Sequence, residues 1–216
     1  MSIVSRSPRR DRKVRAGMVL VLVLAGTALI GWGGLAAWQA VTQNNGSTAI
    51  TDGVHMQNVA TPTGGTSTTC TDQTSPSGCG VIFTVSNITP GYGPSAVGTV
   101  AITNTGSEQA TFDVSLKSAA VTGADSFWNA STDTTLCSDL QLTVTDSETT
   151  PVTVYTGSLS AMSATGIAVK DSGGSAIWPS GATDTFTFTL SLPSSSPNTD
   201  EDSTCTADYT WGESGA

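Results

Sequence analysis

The stretch Thr185-Phe186-Thr187-Phe188-Thr189-Leu190-Ser191-Leu192 alternates polar and apolar residues without a break. Successive side chains of an extended chain point to opposite faces, so this is the pattern of a strand with one buried and one wet face. Thr111-Phe112-Asp113-Val114-Ser115-Leu116-Lys117 repeats it. So do Val81-Phe83-Val85, Val100-Ile102, Leu140-Leu142-Val144 and Ala207-Tyr209-Trp211. Turn signals separate these segments: Thr89-Pro90-Gly91, Asn104-Thr105-Gly106, Asp171-Ser172-Gly173-Gly174 and Pro179-Ser180-Gly181. Short helical turns are expected near Phe127-Trp128 and Leu136–Asp139, and nowhere after residue 38 is there a helical apolar stripe. The expectation is an all-β fold, an antiparallel two-sheet sandwich of about seven to nine strands. Immunoglobulin-like and jelly-roll-like topologies are both compatible with these turns.

Upstream of the strands the chain changes character. Residues 17–38, GMVLVLVLAGTALIGWGGLAAW, carry no charge, and Arg6, Arg9, Arg10, Arg12, Lys13 and Arg15 precede them. A basic head, an apolar run and then small residues is the layout of an export signal. The apolar run is also long enough to span a bilayer, so a retained membrane anchor is the alternative. Small residues at Gly34, Ala36 and Ala37, followed by a turn to polar chain with Gln39, Thr42, Gln43, Asn44, Asn45 and Gly46, favour cleavage after Ala36 or Ala37. Arg9-Arg10 is followed by Asp11-Arg12-Lys13, without the apolar residue usual in a twin-arginine signal. The expected organisation is a signal helix over 1–37, a polar segment or first strand over 38–60, and a sandwich over 61–216. The expected location is secreted or at the cell surface, with membrane contact only through the leader.

Removing the leader changes the charge. The whole chain has 8 Lys+Arg against 17 Asp+Glu; without the six basic residues and Asp11, 2 basic face 16 acidic residues, a net of −14. Only Lys117 and Lys170 remain, so there is no basic cluster to neutralise phosphates, and nucleic acid is excluded as a partner.

Cys70, Cys79, Cys137 and Cys205 all follow the leader, and an even count in an exported domain reads as two disulfides with three possible pairings. Cys70 and Cys79 flank a short polar Pro/Gly loop, which favours the local bridge and leaves Cys137 for Cys205. The second bridge would close a long loop and stabilise by ~4 kcal/mol on the chain-entropy model. A zinc site is the competing reading, but there is no CxxC pair, and the single histidine, His55, is distant in sequence.

The order of segments resembles the TasA/camelysin family of secreted bacterial proteins, in its actinobacterial form. The resemblance runs from about residue 15 to 212 and rests on GGLAAW, VGTVAITNTGSEQATFDVSL, LCSDLQLTVTDS, VYTGSLS, WPSGATDTFTFTLSLPSSSPNTDEDST and ADYTWG. Asn104-Thr105-Gly106 matches the family's turn between two strands, and Tyr155-Thr156-Gly157-Ser158-Leu159 its "y-x-G-x-L" segment. The resemblance implies processing by an ER-type signal peptidase, a jelly-roll-like sandwich and, for some members, biofilm matrix fibres. Other members are classed as metallopeptidases.

Peptidase chemistry does not transfer to these residues. Zinc hydrolysis needs three protein ligands and a base, and no H-E-x-x-H is present. A serine triad needs a histidine, and nothing in the sequence places Ser160 or Ser163 beside His55. Asp125, Asp133 and Asp139 offer carboxylates for a glycosidase, but acidic loops are common in secreted sandwiches. The run Asn198-Thr199-Asp200-Glu201-Asp202 has Ca²⁺-type oxygens but no EF-hand loop, and reads as solvated. The expectation is therefore a non-enzyme without cofactor or metal. Two functions remain: a self-assembling matrix or surface protein, and a monomeric wall- or polysaccharide-binding module using Tyr92, Trp128 or Trp178. For the first, Gln39–Ala60 is the candidate lent strand, with Ile50 and Val54 as its apolar contacts.

Overall fold

The computed structural model describes residues 39–45, 53–72, 78–122, 135–148, 150–197 and 203–216. The expected signal helix, cleavage residues Ala36 and Ala37, Ile50, the Phe127-Trp128 turn, Asp125, Asp133 and the acidic run 198–202 lie outside them. The chain divides after Ala36, and Ala37–Ala216 forms one compact unit.

The strands are β1 (Gln39–Asn45), β2 (Met56–Pro62), β3 (Thr68–Thr71), β4 (Val81–Ser86), β5 (Ser95–Asn104) and β6 (Ala110–Thr122). After a single helical turn, α1 (Leu136–Asp139), come β7 (Gln141–Thr145), β8 (Thr153–Ser158), β9 (Ile167–Val169), β10 (Thr183–Ser191) and β11 (Thr204–Gly215). They form two sheets, ordered β4-β1-β11-β6-β9 and β3-β2-β5-β10-β7-β8. The fold is thus an all-β sandwich. The boundary expected at residue 60 falls inside β2, and β1 and β2 belong to different sheets.

Alternation builds the core. Phe186, Phe188 and Leu190 of β10 are fully buried, while Thr185, Thr187 and Thr189 face outward. Tyr209 and Trp211 of β11 point at them from the other sheet: Phe186–Trp211 centroids are 4.9 Å apart and Phe188–Tyr209 5.4 Å. Such tilted and edge-on pairs suit the ring quadrupoles. Phe112 packs on Trp178 at 4.8 Å, which makes Trp178 a core plug and not an exposed sugar platform.

β4 departs from the expected alternation. Ile82 and Phe83 are both buried, although they are neighbours in sequence. The sheets pinch together there: a Cβ on Gly98 of β5 would come within 1.9 Å of the Ile82 carbonyl oxygen, so only glycine permits the approach. The predicted turns form where expected. Tyr92 N donates to Thr89 O, Gly174 N to Asp171 O and Ala182 N to Pro179 O. Cys70 is bonded to Cys79, and Cys137 to Cys205.

Candidate functional site

β1 lies between β4 and β11. It runs parallel to β11, with Gln39 opposite Thr204 and Asn45 opposite Thr210. It runs antiparallel to β4, with Gln39 opposite Ser86 and a register shift after Thr42. Every other pairing among the described strands is antiparallel. It follows that β4 and β11 run in opposite directions and face each other across a gap one strand wide. β1 fills that gap with backbone hydrogen bonds on both of its edges. A strand edge with unpaired N–H and C=O groups is a template for an added strand, and here the template is two-sided. Gln39 is two residues beyond Ala37.

The chain is anchored just before β2. Glu108 N donates to Gly53 O (3.0 Å), and Thr105 N and Gly106 N donate to His55 O (2.7 and 3.2 Å). Asn104-Thr105-Gly106, one of the motifs singled out in the sequence, is therefore a staple. Asn104 Nδ2 donates to Glu108 O and Trp178 O, and its Oδ1 accepts from Gly106 N. Val54 is buried beside this staple, with Gly215 of β11 nearby, so it belongs to the anchored entry of β2. The strand occupying the two-sided slot is N-terminal to both Ile50 and Val54.

A polar cluster sits at the same end of the sandwich. His55 Nδ1 and Asp72 Oδ2 are 2.8 Å apart. Asp72 lies opposite Met56, since its N donates to Met56 O. Asn58, two residues on and facing inward, is almost fully buried without partners for either side-chain atom. Glu213 of β11 is also buried, with both carboxyl oxygens unpartnered. Burial pushes its pKa up to about 7; the Asp72 charge adds to the rise and His55 opposes it. Sequence reading missed Glu213, Asn58 and Asp72. The signal for two of them was present: Glu213 continues the inward phase of Tyr209 and Trp211, and Asn58 that of Met56 and Ala60.

Among the described residues no three of His, Cys, Asp and Glu converge as a metal-ligand set. Asp139 ends α1, and Ser160 lies in the short 3-10 turn Leu159–Ala161, where its hydroxyl is 3.3 Å from that of Ser158. Ser163 caps its own loop through Thr165 N. The Nδ1 of His55 faces the Asp72 carboxylate. No protein-family model matches the chain, and no curated protein does.

Proposed function

We propose that this chain is a secreted, non-catalytic structural protein of a bacterial cell surface or matrix, which assembles into fibres by lending β1 to a neighbour. The observation that carries the reading is the position of β1 in a two-sided slot, parallel to β11, immediately after the expected cleavage point. A strand there can be supplied by its own chain or by the next one, because the ladder is made of backbone and the register is the same. Export and cleavage after Ala36 or Ala37 by an ER-type signal peptidase free its N-terminal end. Two disulfides are compatible with an extracellular setting, and no helix among the described residues is long and apolar enough to cross a membrane.

The same reading places the chain with TasA/camelysin-like proteins and takes the sandwich as jelly-roll-like. Strands β4 to β11 fall in the order 4-11-6-9 and 5-10-7-8 once β1 is lifted out, and β2 and β3 extend the second sheet.

The test is deletion of Gln39–Asn45 from the full chain, with the signal region kept. N-terminal sequencing of the secreted wild type should begin at Ala37 or Trp38, and electron microscopy should show fibres. The deletion should secrete protein that forms none, yet binds a synthetic peptide of the deleted sequence. Fibres undiminished by the deletion, or a wild type that stays a single small species at high concentration, would remove the reading.

A further inference from the structure

The outer face of the six-stranded sheet carries a row of threonines that crosses five strands. Thr61 of β2 is opposite Thr99 of β5, Thr99 opposite Thr187 of β10, Thr187 opposite Thr145 of β7, and Thr145 opposite Thr153 of β8. Flanking rows continue the pattern, with Thr103 opposite Thr183 and Thr189 opposite Thr143. The outward positions of β2, β5, β10 and β7 hold no Asp, Glu, Lys or Arg and no aromatic residue; on β8, Tyr155 is half-buried and lies opposite the buried Val144, out of the row. Asp184 is the one acid within β10, and it points inward.

This neutrality is at odds with the rest of the protein, whose net charge after the leader is −14. Two copies of so acidic a molecule repel wherever carboxylates face each other. On the threonine face they do not. The hydroxyls are also partly satisfied within the sheet. Thr103 Oγ1 donates to Thr183 Oγ1 at 3.0 Å, Thr183 Oγ1 donates to Ile102 O at 2.9 Å, and the Thr143 and Thr156 hydroxyls are 3.3 Å apart. Covering such hydroxyls strands fewer unpaired groups than covering free ones, and leaves the threonine methyls to make contact. A sugar polymer would want the opposite: free hydroxyls and an aromatic ring to stack on.

We propose that this face docks against the same face of a second copy, as a two-fold sheet-on-sheet contact. Size sets its strength. Six strands at ~4.8 Å spacing and about 17 Å of length cover roughly 500 Å². Two such faces bury roughly 1,000 Å², at the lower limit of a specific interface. The pairing is therefore weak between single molecules. Along a fibre, where many faces act together, it becomes a lateral bond, and that consequence rests on the fibre reading.

The experiment compares sedimentation equilibrium and electron microscopy of protein purified from cells expressing the full chain. Wild type should show a reversible monomer–dimer equilibrium as concentration rises, with fibres lying side by side. Thr145→Glu/Thr187→Glu places charges at the centre of the face and should weaken dimerisation at least tenfold. Thr156→Glu, on the exposed edge strand, should weaken it where a substitution disturbs the sheet least. Ser115→Glu, the same charge change on the outer face of the other sheet, should leave it unchanged. Single fibres that persist in the Glu variants while bundles vanish support the pairing. Dimers that persist when fibres fail to form support it too, and remove only the fibre reading. Wild type that remains monomeric with unbundled fibres overturns the pairing, as does dimerisation insensitive to Thr145→Glu/Thr187→Glu and Thr156→Glu. Pelleting with insoluble polysaccharide that Thr156→Glu abolishes, without any dimer, would assign the face to a sugar and overturn it as well.

Discussion

Glu213 is a carboxyl on a core-facing position, next to the Asp72–His55 pair and without a hydrogen-bond donor of its own. Its proton is held more tightly in the folded chain, to about pH 7, than at the ordinary value of 4.5. The contribution to stability is therefore full below about 4.5 and lost as pH rises through about 7. Thermal melts should show the midpoint falling between pH 5 and 8. Glu213→Gln, which keeps the shape and removes the charge, should flatten that dependence and gain on the order of 2 kcal/mol at pH 8. An unchanged pH profile in the variant would show that the carboxyl is not the titrating group. Gly106 is the other residue on which this end depends. A Cβ there would stand 2.2 Å from Gly53 O and 2.7 Å from His55 N, both backbone atoms. Gly106→Ala should cost more than about 2 kcal/mol. Gly64→Ala, at a positive φ of 73° but with open space around it, should cost about 1 kcal/mol. Denaturant titrations of the two variants check the order.

Among the elements, β11 does most to organise the molecule. It pairs with β6 along its whole length and with β1 over its first half, and its start is bonded through Cys205 to Cys137 of α1. Cys205 lies opposite Ala40, so the bridge pins the strand that forms one wall of the slot. The two bridges should differ in worth. Cys137 and Cys205 are 68 residues apart and Cys70 and Cys79 only 9. Loop entropy then predicts a loss of about 4 kcal/mol for Cys137→Ala/Cys205→Ala and about 2.5 kcal/mol for Cys70→Ala/Cys79→Ala. Equilibrium unfolding of both double variants tests the ranking. The reverse order would show that native-state packing outweighs loop length here.

At the scale of the whole molecule, charge bears on the proposed association. From residue 38 on the chain carries 16 acidic against 2 basic residues, so copies of that part repel at long range. Salt shortens that repulsion to about 10 Å at 0.1 M. Light scattering should therefore show assembly that accelerates as ionic strength rises from 10 to about 150 mM. The neutral threonine face should be the least salt-sensitive contact once formed. Assembly that slows with added salt would point instead to attraction between opposite charges, for which only Lys117 and Lys170 are at hand.

Alternation in Thr185–Leu192, Thr111–Lys117 and Ala207–Trp211 was enough to predict strands, their buried faces and a sandwich, because a period of two is a local property of extended backbone. The turn at Asn104-Thr105-Gly106 and the short helix at Leu136–Asp139 were legible for the same reason. Ile82 was not, because its burial follows from two sheets pinching together and not from its own strand. The polar cluster was only half legible: the phase of β11 and β2 carried Glu213 and Asn58 inward, but nothing in sequence brought Asp72 to them. The strand order was beyond reach as well. Local pattern made Gln39–Asn45 no more than a polar segment with strand potential. Only the tertiary structure decided that it lies parallel to β11 and between β11 and β4, because non-local pairing depends on which edges the rest of the fold leaves open.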